Sequence, residues 1–189
     1  NSGDYFTLTI ARTSGELTPQ IRVLSPNGDV VTTSYTGFAA TEVVVQDAPM
    51  SGTYRVIVGD YQTNQSGEYL LRLAQAPEEF VVPSGDEGGS LTKGNNHLGN
   101  IPLADLDQWT FTADAGVFIH ISIARASDND LTPLIRLISP TGERVGFAYT
   151  GFASTELVVQ DAPESGTYRV IVSDYQVNQT GDYVLIATW

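Results

Sequence analysis

The 189-residue chain has no cysteine, which rules out disulfide staples, a thiol nucleophile and thiolate-ligated zinc. Lysine is nearly missing too, with Lys93 standing alone. Nine basic residues face 22 acidic ones, for a formal charge of −13. That sign opposes a phosphate backbone, which is held by clustered cations. Nucleic acid and anionic membranes are thereby set aside as partners, while cations, cationic ligands and neutral polymers stay open. No apolar run approaches the roughly 18 residues of a membrane span, and no stretch reads as a signal peptide. The first residue is Asn1 and not Met, which reads as a piece of a longer precursor. Histidine is scarce as well: only His97 and His120 could serve as the base of a Ser-His-Asp triad. His120 falls on a strand face opposite Ile119 and Ile121, and no nucleophile elbow, zinc-protease helix or phosphate loop is found. The chain is not expected to be an enzyme.

What the sequence does have is a duplication. Leu17 to Leu73 recur as Leu131 to Ala187 at one constant offset, with most residues unchanged. Leu17-Thr18-Pro19 returns as Leu131-Thr132-Pro133, and Tyr35-Thr36-Gly37-Phe38 as Tyr149-Thr150-Gly151-Phe152. The period is too long for a solenoid, so each copy is expected to be a domain with its own core, strung like beads.

The periodicity is that of strands. Thr53-Tyr54-Arg55-Val56-Ile57-Val58 and its twin Thr167-Tyr168-Arg169-Val170-Ile171-Val172 are β-branched and aromatic and alternate between two faces. Turns such as Ser25-Pro26-Asn27-Gly28 and Asn64-Gln65-Ser66-Gly67 separate such runs at about ten-residue spacing. No segment reads as an amphipathic helix. The expected fold class is all-β, with two tandem antiparallel jelly-roll-like β-sandwiches. Residues 1–76 make the first domain, 77–89 a polar, Gly-rich linker, and 90–189 the second domain. Ahead of its repeated part the second copy has the strand-like Asp105-Leu106-Asp107-Gln108-Trp109-Thr110-Phe111, which the first copy lacks.

Three constellations carry chemistry. Tyr61 and Tyr175 sit in Asp-Tyr-Gln loops, and Tyr35, Phe38, Tyr149 and Phe152 in Tyr-Thr-Gly-Phe turns. Aromatics at loops either cap the sandwich core or give rigid contact area for sugar rings or collagen ridges. Ser127-Asp128-Asn129-Asp130 concentrates oxygen ligands as calcium requires, or is a solvated acidic loop. Asn64 and Asn178 fit the Asn-x-Ser/Thr acceptor pattern, or simply build a hairpin turn. Arg22 and Arg136, Arg55 and Arg169, and Arg12 and Arg125 occur at matched strand positions and are expected to pair with carboxylates across strands.

Leu98-Gly99-Asn100-Ile101, Asp105 to Phe111, Ser139-Pro140-Thr141-Gly142, Gly166 to Val170 and Gly181-Asp182-Tyr183-Val184-Leu185 follow one another in an order that resembles the bacterial pre-peptidase C-terminal (PPC) domain. Relatives of that family include the collagen-binding domains of clostridial collagenases. The likeness spans nearly all of 90–189, and Tyr5 to Leu73 match its later part. It implies tandem non-catalytic, jelly-roll-like modules of a secreted or surface protein, extracellular or cell-surface in location, binding collagen or polysaccharide. It further implies calcium as a cofactor, with Asp105 and Asp107 joining Asp128, Asn129 and Asp130 and with Asp86 and Glu87 reaching in from the linker. The chain departs from the family pattern where Asp130-Leu131-Thr132 and Glu16-Leu17-Thr18 replace Asp-Leu-Asp. The competing expectation is a structural repeat of an adhesin, stalk or filament, assembling with neighbouring subunits by strand complementation at the incomplete first copy.

Overall fold

A computed structural model describes residues 1–78 and 81–189; Glu79 and Phe80, within the stretch read as linker, lie outside the described residues. Every regular element among the described residues is a β-strand. The first copy folds as β1 (Tyr5–Arg12), β2 (Pro19–Leu24), β3 (Val30–Tyr35), β4 (Ala40–Val45), β5 (Arg55–Asp60) and β6 (Tyr69–Ala76). Then come β7 (Gly88–Ser90), β8 (His97–Ile101), β9 (Leu106–Ala113), β10 (Ile119–Arg125), β11 (Pro133–Ile138), β12 (Arg144–Ala148), β13 (Ser154–Val159), β14 (Gly166–Asp174) and β15 (Gly181–Thr188). The polar stretch thus ends inside a strand, since Gly88 and Gly89 belong to β7, which runs parallel to β9. All other pairings are antiparallel.

The strands form two β-sandwiches. In the second, sheet β13-β10-β15-β8 faces sheet β12-β11-β14-β9-β7. Ile119, Ile121 and Ile123 from one sheet meet Trp109, Leu137 and Val170 from the other in a dry core, the arrangement that alternating apolar residues impose on stacked sheets. Trp189 packs on Phe111 with ring centroids 4.6 Å apart. The first copy repeats this plan with β4-β1-β6 against β3-β2-β5 and a smaller core around Phe6, Leu8, Ile10, Ile21 and Val43.

Three strands of the second copy, β7, β8 and β9, have no counterpart in the first. In the second, β9 lies beside β14 and β8 beside β15; their counterparts β5 and β6 end their sheets. Residues that should be core therefore meet solvent. Leu71 is 37% exposed and Leu73 56%, whereas Leu185 and Ala187 at the same positions are 0% and 1% exposed.

The expectation of beads on a string is corrected. The outer face of β4-β1-β6 packs on the outer face of β11, β14 and β9, burying Tyr5, Ala74 and Ala76 against Leu106, Ile138 and Ile171. The protein is therefore four sheets deep at this contact. The matched arginines are corrected with it: Arg136, 2% exposed, donates to Glu42 of the first copy, and Arg169 to the carbonyls of Gln75 and Glu78. Polarity explains this, because β11 and β14 turn these side chains away from their own core toward the neighbouring sheet.

Candidate functional site

The Asp-Tyr-Gln loops are built around a carboxylate. Asp60, the last residue of β5, accepts backbone N–H groups from Thr18 (2.9 Å), Asn64 (3.0 Å) and Gln65 (2.9 Å). Asp174 at the end of β14 does the same for Thr132 (3.0 Å) and for Gln176, Asn178 and Gln179 (3.1 Å each). These bonds hold the half-buried Asp60 carboxyl below its ordinary range, outweighing the desolvation that opposes them. At the more buried Asp174 desolvation dominates, and its carboxyl is raised. Both loops pass through a left-handed residue, Thr63 (φ 63°) and Val177 (φ 64°), uncommon for side chains branched at Cβ.

Fixing the loops fixes the tyrosines. Tyr61 stacks on Tyr35 at 3.8 Å between centroids with 11° between planes, and Tyr175 on Tyr149 at 3.9 Å and 11°. All four rings are at least two fifths exposed. The adjoining turns are held by Thr36, whose hydroxyl donates to the Ala40 carbonyl at 2.6 Å, and by Thr150, which donates to Ser154 at 2.6 Å. They lift Phe38 (73% exposed) and Phe152 (75%) clear of the core. Each copy thus carries the same stacked tyrosine pair on its surface, and an exposed phenylalanine in the turn that follows its first tyrosine.

A groove of about 560 Å³ runs between the copies, with Phe38, Ala40 and Glu42 on one side and Tyr175, Val177 and Asn178 on the other. Asn64 and Asn178 are both exposed; Asn178 lines the groove and Asn64 sits on the corresponding loop of the first copy.

The carboxylates gather elsewhere. Asp86, Asp105 and Asp107 place oxygens within 4.8 Å of one another, Asp105 just before β9 and Asp107 within it. Asp107 is fully buried; its Oδ2 accepts from Tyr183 at 2.5 Å, and Tyr183 accepts from the Trp109 indole at 2.8 Å. Its Oδ1 has no hydrogen-bond partner among the described residues. Burial above all, then the neighbouring Asp105 and Asp86, pushes the Asp107 carboxyl up to about 8. Asp105 is raised by burial first and then by Asp86, and Arg72 from the first copy stands 3.4 Å from it. An orphaned carboxylate oxygen beside two further carboxylates fits a hard cation such as calcium, for which backbone oxygens and water complete the six to eight ligands. The predicted Asp128 and Asp130 are exposed and belong to no such group among the described residues. Their loop is ordered by Asn129, whose Oδ1 accepts from Leu131 N–H at 3.1 Å and whose Nδ2 donates to the Asp182 carbonyl at 3.2 Å.

Of the histidines, His120 lies 3.5 Å from Glu156, and His97 accepts from Thr92 N–H at 2.9 Å with its ring against Trp109. Sequence reasoning missed Asp60 and Asp174 as loop organisers, although their recurrence before each tyrosine was a usable signal. It also missed Glu42 and Tyr183, whose partners lie far along the chain.

No protein-family profile and no curated protein matches the chain. Among solved structures, a pre-peptidase C-terminal domain of a Bacillus anthracis collagenase is 18% identical, with a TM-score of 0.45, covering 55% of this chain and 96% of that one. The Aeromonas hydrophila periplasmic inhibitor of g-type lysozyme is 14% identical (TM-score 0.41, covering 53% and 96%). The Salmonella Typhimurium inhibitor is 18% identical (TM-score 0.40, covering 54% and 97%).

Proposed function

We propose that the chain is a non-catalytic extracellular or cell-surface module that binds a neutral or cationic polymer, collagen or polysaccharide, through its two aromatic clusters. The observation that carries this reading is the repetition of Tyr35–Tyr61 as Tyr149–Tyr175 with the same stacking, each copy also exposing a phenylalanine in the turn after its first tyrosine. Stacked rings already held in place lose little freedom on binding, which suits the flat faces of sugars or the ridges of a collagen helix. Two weak sites on one chain gain avidity along a repeating ligand. Calcium at Asp86, Asp105 and Asp107 would tie the segment before β7 to β9 and to Tyr183. Co-sedimentation with fibrillar collagen, chitin and cellulose tests the reading. Retention on one of them should fall about tenfold in Tyr61→Ala and in Tyr175→Ala, and further in the double variant. Retention by none of the three, or retention indifferent to both substitutions, would sink it.

A structural role is the second reading, favoured by the open flank of the first copy, where β5 and β6 end their sheets and Leu71 and Leu73 meet solvent. A free edge beside exposed apolar positions accepts an added strand. A peptide spanning residues 97–113, the segment that closes the second copy, should bind the chain and shield this flank from hydrogen exchange; no protection there would exclude strand addition.

A further inference from the structure

The contact between the copies uses one face from each, and each copy keeps the other kind of face free. Burial makes this visible. β1 is buried at seven of its eight positions and β11 at all six, because a sheet covers them on both sides. Their counterparts β10 and β2, with similar sequences, alternate between buried and accessible positions because one side is bare. The bare faces belong to β13-β10-β15-β8 at one end of the four-sheet stack and β3-β2-β5 at the other.

Several of the groups that join the copies recur on these bare faces, whereas Leu106 of β9 has no counterpart in the first copy. Arg136 and Glu42 form the buried ion pair; at the same positions stand Arg22, exposed on β2, and Glu156, whose side chain is 70% exposed on β13. Thr7 donates to Glu42 at 2.8 Å, and His120, in the place of Thr7, lies 3.5 Å from Glu156. The apolar part recurs as well. Buried Ile171 and Tyr5 correspond to Ile57 and Phe118, which are 43% and 49% exposed. One bare face thus carries arginines around an isoleucine, and the other a glutamate and a phenylalanine.

We propose that a second copy of this chain docks its β13-β10-β15-β8 face on the β3-β2-β5 face of the first, repeating between molecules the contact made within each. Arg22 meets Glu156 of the next chain as Arg136 meets Glu42. The contact is heterologous: each chain offers one face of each kind, so a dimer leaves both kinds unsatisfied and growth continues as an open, head-to-tail stack. Stacking would also bring Phe152 across from Tyr61 of the next chain, as Phe38 lies across the groove from Tyr175, so the groove is renewed at every junction. The inference does not rest on polymer binding, and it uses sheet faces, not the open flank.

Sedimentation velocity of the intact chain over a wide concentration range, at low and moderate salt, tests it. The average mass should climb past that of a dimer without a plateau and fall with added salt. Arg22→Glu and Glu156→Arg should each weaken association about tenfold, and the double Arg22→Glu/Glu156→Arg chain should regain it, since the swapped charges again face each other. Unchanged near-ultraviolet circular dichroism in each variant separates lost docking from lost folding. A mass that stays monomeric at all concentrations, a closed dimer, or association indifferent to Arg22→Glu would overturn the proposal. Failure of the double variant to recover would overturn the ion pair as its basis.

Discussion

Arg136 of the second copy reaches Glu42 of the first, while Arg22, the same residue at the same strand position, stands in solvent. One arginine is an interior group and the other a surface group, although the surrounding sequence is nearly the same.

Replacing each by alanine should separate them. Arg136→Ala strands the half-buried Glu42 carboxylate and should cost about 2–5 kcal/mol. Arg22→Ala, in isolated chains, should stay within about 0.5 kcal/mol. Urea unfolding of both variants below the concentration of any association makes the comparison, and equal midpoints would contradict the assigned interface.

The Asp107 carboxyl gives a pH signature. Its folded-state value, about 8, lies above the ordinary carboxyl range, so its proton is held more tightly in the folded chain than in the unfolded one. Relative stability is therefore greatest below the ordinary carboxyl value, declines as pH rises through the interval up to about 8, and levels off above it. In chelator-treated protein the melting temperature should fall over that interval, and it should fall less in Asp107→Asn. Calcium favours the ionised carboxylate and should restore more stability at pH 8 than at pH 6 in the parent, with no such gain in Asp107→Asn. A calcium effect that ignores the substitution would remove Asp107 from the site.

Leu71 and Leu185 test the open flank. They hold the same position, yet Leu71 is 37% exposed and Leu185 0%. Leu185→Ala should cost about 2–5 kcal/mol and Leu71→Ala about 1 kcal/mol or less. Binding of a fluorescent apolar dye, strong in the parent, should weaken in Leu71→Asp, because the surface that draws it is there.

Gly99 is required for space. A Cβ at this position would stand 2.3 Å from the ring of Tyr183, the residue that donates to Asp107. Gly99→Ala should destabilise by about 1–3 kcal/mol through overpacking. Displacement of Tyr183, bonded to the Trp109 indole, should also shift tryptophan fluorescence. An unshifted spectrum with unchanged stability would show that the ring can move at no cost.

The strands were readable because alternation is local. Thr53 to Val58 and Phe6 to Ile10 carry their two faces in adjacent residues, and no distant partner alters that periodicity. The contact between copies was not readable for the opposite reason: Arg22 and Arg136 are locally alike, and which is covered depends on a sheet more than ninety residues away along the chain. The aromatic clusters fall between these cases. Repetition singled out Tyr61 and Tyr175, but their stacking on Tyr35 and Tyr149 needs the loop geometry that Asp60 and Asp174 impose. In the acidic residues, Asp128 and Asp130 stand together in sequence, whereas Asp86 meets Asp105 and Asp107 only once β7 lies beside β9.

The groove between Phe38 and Tyr175 has a thermodynamic consequence. A ligand seated there touches both copies and is held fully only while they remain together. Its occupancy and the closure of the copies are then linked functions, each strengthening the other by the same factor. A saturating ligand would make the two sandwiches unfold as one cooperative unit, and a strand of polymer threaded through the groove would serve as a clasp on the protein that grips it.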